Sequence, residues 1–150
     1  MITKESKLVK KCCLYASDFH LEMILLPYIK ERINESEFII ITQNDLSDTI
    51  RVLVDRVNID KKQKEEILKL NWKESSIKKV QSIKDTIGNV EKMNIIVNGD
   101  CNYIEAINRE LELLNSNNID IIDCFNVNDI NLNMNNVKNN YDDVLKTRKM

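Results

Sequence analysis

The feature that most constrains this chain is the order of its first two apolar runs. Leu8–Tyr15 is an apolar run broken only by Lys10 and Lys11, and Phe38–Ile41 is a second one. Between them Ala16-Ser17-Asp18 opens a stretch with helical periodicity. Strand, turn, helix, strand is the unit from which parallel sheets are built, because parallel neighbours need a long crossover to return the chain to the same end. Ligands on such sheets bind where strands end and helices begin. At the first of these junctions the chain reads Ser17-Asp18-Phe19-His20, with no glycine where a phosphate-binding loop would need one. The whole sequence holds two glycines and one proline, too few turn formers for a β-sandwich or barrel.

Periodicity predicts the other elements in turn. A first helix runs from Asp18 to about Asn34, capped by Ser17 or Asp18, with Phe19, Met23, Leu26, Ile29 and Ile33 as its buried stripe. Pro27 lies inside it and predicts a kink or bulge. A strand follows over Phe38–Thr42. Asn44 or Asp45 caps a second helix with Leu46, Ile50, Leu53, Val54 and Val57 on one face. A short charged helix then runs from Lys61 to about Glu66. Leu68, Leu70 and Trp72 alternate, which favours a strand over residues 67–72 above a prolonged helix. Ser75 or Ser76 opens a helix through Ile77, Val80, Ile83 (or Lys84) and Ile87 that stops at Gly88. Met93–Val97 is a strand, Tyr103 or Ile104, Ile107, Leu111 and Leu114 mark a helix, and Ile119–Phe125 is the last strand. Val137, Tyr141, Val144 and Leu145 predict a closing helix. The expected architecture is one three-layer α/β domain over residues 1–150, with 1–7 and 146–150 frayed and a mostly parallel sheet of four to five strands.

A formal charge of -2 and a pI near 5.5 give no global field for nucleic acid. Mixed runs such as Lys61-Lys62-Gln63-Lys64-Glu65-Glu66 read as solvated helix faces. No apolar run approaches the roughly eighteen residues that cross a bilayer, and the polar start runs into strand-like sequence. A cytoplasmic location is the expectation. The cysteines Cys12, Cys13, Cys101 and Cys124 lack Cys-x-x-Cys spacing and read as reduced, buried thiols. Cys101 stands apart, since a helix start lowers a thiol pKa.

The expected strand ends supply polar groups repeatedly: Tyr15, Ser17, Asp18 and His20; Thr42, Gln43, Asn44 and Asp45; Asn98, Gly99, Asp100 and Cys101; Asp123, Cys124 and Asn126. Parallel strands bring these groups to one rim, the default ligand site. Helix N-termini need the same residue types as caps, so capping is the leading explanation for any single one of them. His20 is the only histidine, which excludes a multi-His metal site. Asp18, Asp45, Asp100 and Asp123 are carboxylates that a metal would use. They come without an Asp-x-Asp pair, a Gly-x-x-x-x-Gly-Lys-Ser/Thr loop or a cation in the clusters, which disfavours phosphoryl transfer.

The order of pieces resembles a known family. Cys-Leu-Tyr-x-Ser-Asp at 13–18, Leu-Pro-Tyr-Ile at 26–29 and Glu37-Phe38-Ile39-Ile40-Ile41 look like the MEDS domain, a sensory domain named for methanogens, methylotrophs and the regulator DcmR. Asn58-Ile59-Asp60 with Leu68-Lys69-Leu70, Ile121-Ile122-Asp123-Cys124-Phe125 and Tyr141-Asp142-Asp143-Val144-Leu145 are similar to its later elements. The resemblance spans residues 8 to 145. It implies a RecA/Rossmann-like core without a phosphate loop, and a role in sensing small molecules. The family often has a His ahead of the first strand's Cys, where this chain has Lys10-Lys11. Its members often carry a DNA-binding or kinase partner domain, and none is expected within these residues.

The expectation is therefore a non-enzymatic cytoplasmic sensory or regulatory domain with no cofactor and no metal. Its small ligand would lie on Tyr15, Ser17, Asp18, His20, Thr42, Asn44, Asn98, Asp100 and Asp123, and its signal would pass through a partner protein or a homo-oligomer. The alternatives are a metal-dependent enzyme acting on nucleotides or phosphoesters, using Asp18, Asp100 or Asp123, and a pure protein-interaction module.

Overall fold

Apolar runs buried on both sides belong in a parallel sheet with helices over each face, and the chain forms one. The computed structural model describes residues 8–83, 92–112, 118–129, 132–133, 137 and 139–145. Its elements are β1 (Leu8–Tyr15), α1 (Asp18–Arg32), β2 (Glu37–Thr42), α2 (Ser47–Leu53), α3 (Lys61–Lys69), α4 (Ile77–Ser82), β3 (Met93–Gly99), α5 (Cys101–Glu112), β4 (Ile119–Asn126) and β5 (Asp143–Leu145). The strand order is β2-β3-β4-β1-β5 and every pairing is parallel. On one face α1, α2 and α3 bring Leu21, Leu25, Ile29, Ile50 and Ile67 against Cys13, Ile40, Ile96 and Ile122. On the other, α4 and α5 pack Val80, Ile104 and Ile107 against Ile41, Ile95, Val97 and Ile121. This is the expected three-layer, RecA/Rossmann-like α/β domain.

Several local expectations are corrected. Residues 67–72 are not a strand: Ile67–Lys69 is the last turn of α3, and the buried Trp72 donates its Nε1–H to Ile67 O at 2.8 Å. Ile67 is the residue that faces the core, while Leu68 is exposed, so the apparent alternation carried no burial. No closing helix holds Val144 and Leu145, which form β5 beside Cys12 and Cys13 of β1. Three residues are too few for periodicity to register. Phe19 is 58% exposed, because α1 buries a broad arc from Leu21 to Ile29 rather than the narrow stripe expected. Pro27 sits within α1 without ending it. β3 runs on through Asn98 and Gly99, and neither Asn44 nor Asp45 is the cap of α2: Leu46 takes that place without a side-chain bond, while Asp45 accepts the Ser47 N–H at 2.8 Å from one residue further back. Ile87, Gly88, Leu114 and both chain ends lie outside the described residues.

Both sheet edges are blunted. Along β2, Lys79 Nζ donates to Ile40 O at 2.7 Å and the Ser75 N–H to Thr42 O at 2.8 Å. On β5, Asp143 Oδ1 accepts the N–H of Val144 at 2.9 Å. Side chains and a passing loop thus occupy backbone groups that another strand would pair with.

One buried group works against this packing. Glu22 of α1 is fully enclosed against α2, and neither carboxylate oxygen has a hydrogen-bond partner among the described residues. The nearby Thr49 hydroxyl donates to Leu46 O instead. Burial pushes the Glu22 carboxyl up to about 7 from 4.5, and Asp18 one turn earlier adds to the rise. The folded protein therefore holds this proton more tightly than the unfolded chain does. The Glu22 contribution to stability is greatest below pH 4.5 and is lost as pH rises through about 7, by about 3 kcal/mol in all. Glu22→Met is expected to remove this pH dependence and to raise stability at pH 8 by about 2 kcal/mol, read from urea unfolding curves across that range.

Candidate functional site

Each strand-end residue named above has a defined place. Tyr15, Thr42 and Asn98 meet beneath the carboxyl rim on the α1 face. The Tyr15 hydroxyl donates to Asn98 Oδ1 at 2.6 Å, Asn98 Nδ2 donates to Thr42 Oγ1 at 3.1 Å, and Thr42 Oγ1 donates to Asn44 O at 2.7 Å. All three side chains are buried. Burial, with Cys124 and Asp18 nearby, raises the Tyr15 hydroxyl well above the usual tyrosine range, so it serves as a fixed donor. This chain of bonds ties β1 to β3 and β2 and engages each of its members with another.

Most of the remaining rim residues are engaged with the backbone. Ser17 Oγ accepts the His20 N–H at 3.1 Å, and His20 Nδ1 accepts the Ala16 N–H at 3.0 Å, so both close the start of α1. Asp18 and Asn44 are exposed. Asp100 Oδ1 caps α5 through the Tyr103 N–H at 2.7 Å, and Gln43 holds Asp100 from both its amide atoms. Gln43 reaches across Gly99, where a Cβ would fall 2.5 Å from the Tyr103 ring and 2.9 Å from Gln43 Oε1. Only glycine permits that approach.

Chain reversal at the sheet centre points the same way. The connection from β1 leaves over the α1 face and that from β4 over the α5 face, so the switch-point crevice lies between their ends. There the Val127 N–H donates to Tyr15 O at 2.9 Å and bridges it. The N-terminus of α5 already receives two carboxylates, Asp100 and Asp129, the latter accepting the Cys101 N–H at 2.9 Å. An incoming anion would meet negative charge there. Among the described residues no three acidic, cysteine or histidine side chains gather as a metal would need.

Asp123 is not at this rim. It lies inside β4, fully buried, and faces α5, away from Tyr15 and Asn98. Asn108 Nδ2 reaches both its oxygens at 2.9 and 3.0 Å, the Tyr141 hydroxyl donates to Oδ2 at 2.5 Å, and Lys10 Nζ stands 3.8 Å away. Burial raises the Asp123 carboxyl above the usual range against the pull of these partners. The Tyr141 hydroxyl is raised too, by burial and by Asp123 beside it.

This cluster underlies a groove of about 640 Å³ between α5 and the connection from β4 to β5. Ile104, Phe125, Leu132 and Val137 supply apolar walls, Lys10 and Tyr141 polar ones. The volume suits a small organic molecule. A second cavity, about 260 Å³, lies between α1 and β5 beside Lys11, Tyr28 and Arg32. Neither cavity is lined by Tyr15, Thr42 or Asn98. Cys101 lines the larger groove, but its thiol is pushed up to about 11 by burial and by Asp129, which overturns the lowered pKa expected at a helix start. All four cysteines are free.

Comparison with family models, characterised proteins and solved structures finds no match.

Sequence reasoning passed over Lys10, Asn108 and Tyr141. A signal for the first existed: adjacent lysines in an apolar strand must face opposite sides, and Asp120 and Asp123, three apart in another, do likewise. Tyr141→Phe is expected to lower the unfolding free energy by about 2 kcal/mol, since it strips a donor from a buried carboxylate, and Tyr15→Phe by about 1 kcal/mol. The two losses should add in the double variant, measured by chemical denaturation, because the clusters lie on opposite faces of the sheet.

Proposed function

We propose that this chain is a non-enzymatic sensory or regulatory domain that holds a small molecule and passes the bound state to a partner protein. The observation that carries this reading is the groove beside α5, walled by apolar side chains and floored by a buried polar cluster. The order of strand, helix and motif, similar to the MEDS sensory domain, supports the same role. The ligand seat moves from the strand ends to this groove, because Tyr15, Thr42 and Asn98 are bonded to one another. A hydrolytic or phosphoryl-transfer role finds less support. Asp123 faces α5, Asp100 caps it, and exposed Asp18 sits in the first turn of α1, so the three carboxylates do not form one site.

Exposed Phe19 on α1 and Val52 on α2 favour a second reading, a protein-interaction module, and also offer the sensor a place for its partner.

Native mass spectrometry of gently purified protein tests the choice. A retained species of reproducible mass, lost in the groove-filling Leu132→Trp variant, is the expected result. A species that survives the substitution returns the ligand to another site. A bare chain in a defined oligomer favours the interaction module.

A further inference from the structure

Two groups in the groove lining have incomplete hydrogen bonding among the described residues: Asn108 Oδ1, and the charged one, Lys10. The Lys10 side chain is only 28% exposed, yet among the described residues its ammonium comes no closer than 3.8 Å to a carboxylate oxygen, beyond hydrogen-bond range. That oxygen, Asp123 Oδ2, already accepts from the Tyr141 hydroxyl and from Asn108 Nδ2. Lys92 shows what a hydrogen-bonded lysine does here: its Nζ lies 2.6 Å from Asp120 Oδ1. The Lys10 ammonium instead rests 5.2 Å from the centre of the Tyr141 ring. Three donors thus stand at the groove floor with no acceptor in hydrogen-bond range among the described residues.

The other cation in the groove is already paired. Arg109 pairs with Glu105 at 3.1 Å, and Glu112 lies on the last turn of α5. An ammonium loosely paired at 3.8 Å with a buried carboxyl keeps its hydrogen-bond donors open to one further negative group. The walls beside it, Ile104, Leu132, Val137 and Phe125, ask for an apolar body.

We propose that the groove takes a small organic carboxylate, with its charged end on Lys10 Nζ and its apolar body along Ile104, Phe125, Leu132 and Val137. This deepens the ligand-binding reading above and rests on it. Lys10 sets the charge of the ligand, and Leu132 and Val137 line the groove beside it.

A matched pair of probes, 2-naphthoate and its neutral amide 2-naphthamide, tests the assignment by calorimetry and by amide shifts in the nitrogen–proton spectrum. Wild-type protein is expected to bind the carboxylate about tenfold more tightly than the amide, with shifts on α5 and β4. Lys10→Met should erase that preference while still binding both weakly, and Lys10→Arg should keep most of it. Equal affinity of the two probes in the groove overturns the carboxylate class but leaves a ligand groove standing. A preference that survives in Lys10→Met overturns the role of Lys10. Failure of both probes to shift any groove residue overturns the groove reading as well. Should Lys10→Met fail to fold, the wild-type comparison of carboxylate with amide still decides.

Discussion

Two adjacent lysines in the middle of a sheet strand cannot face the same layer, and the rest of this fold is arranged around that constraint. Lys10 enters the α5 face and Lys11 the α1 face, each partly buried under helices. β4 answers with Asp123 on one side and Asp120 on the other, each two residues along from the lysine's direct partner in the register. Each lysine also lies over a tyrosine ring, Tyr141 or Tyr28. A one-residue slip of β1 against β4 would turn every one of these groups to the wrong face. Buried ion pairs add little net stability, because desolvation opposes their attraction, but breaking one is costly. Their work here is to fix the register between the strands that carry the switch point.

The same constraint explains where open space remains. An apolar sheet surface invites a helix to lie flat on it, and α1 and α5 do so along most of their length. Beside Lys10 and Lys11 the covering elements stand off, and the two cavities open there, one on each face. At the carboxyl rim the opposite holds. Tyr15, Asn98 and Thr42 close on one another, Gln43 folds over Gly99, and carboxylates fill the helix start at Asp100 and Asp129. Caps and cross-links occupy the place where a nucleotide-binding sheet holds phosphate, which fits a glycine-free first junction.

Much of this was legible in the amino acids. β1, β2, β3 and β4 follow from apolar runs, α1 and α5 from their periods and caps, and the parallel layering from the alternation of the two. What escaped is instructive. The helical end of α3 was hidden by chance alternation at Leu68, Leu70 and Trp72, and β5 by its three-residue length. The site escaped for another reason. Strand-end residues look alike whether they cap, cross-link or bind, and only distances separate these roles. Asn108 and Tyr141 gain meaning from Asp123, to which no local pattern connects them, whereas the paired lysines and aspartates were readable from the two-residue period of a strand.

The guarded edges of the sheet bear on how such a domain could speak to another protein. Lys79 and Ser75 cover the outer side of β2, and Asp143 turns its own carboxylate onto the backbone of β5. A partner that recognises proteins by adding a strand would find these backbone groups taken. A protein contact would then fall on the helical layers, which in other proteins respond by rigid-body movement rather than by growth of a sheet. An assembly built on this domain would therefore be one of packed side chains, sensitive to small changes in helix position and indifferent to backbone pairing.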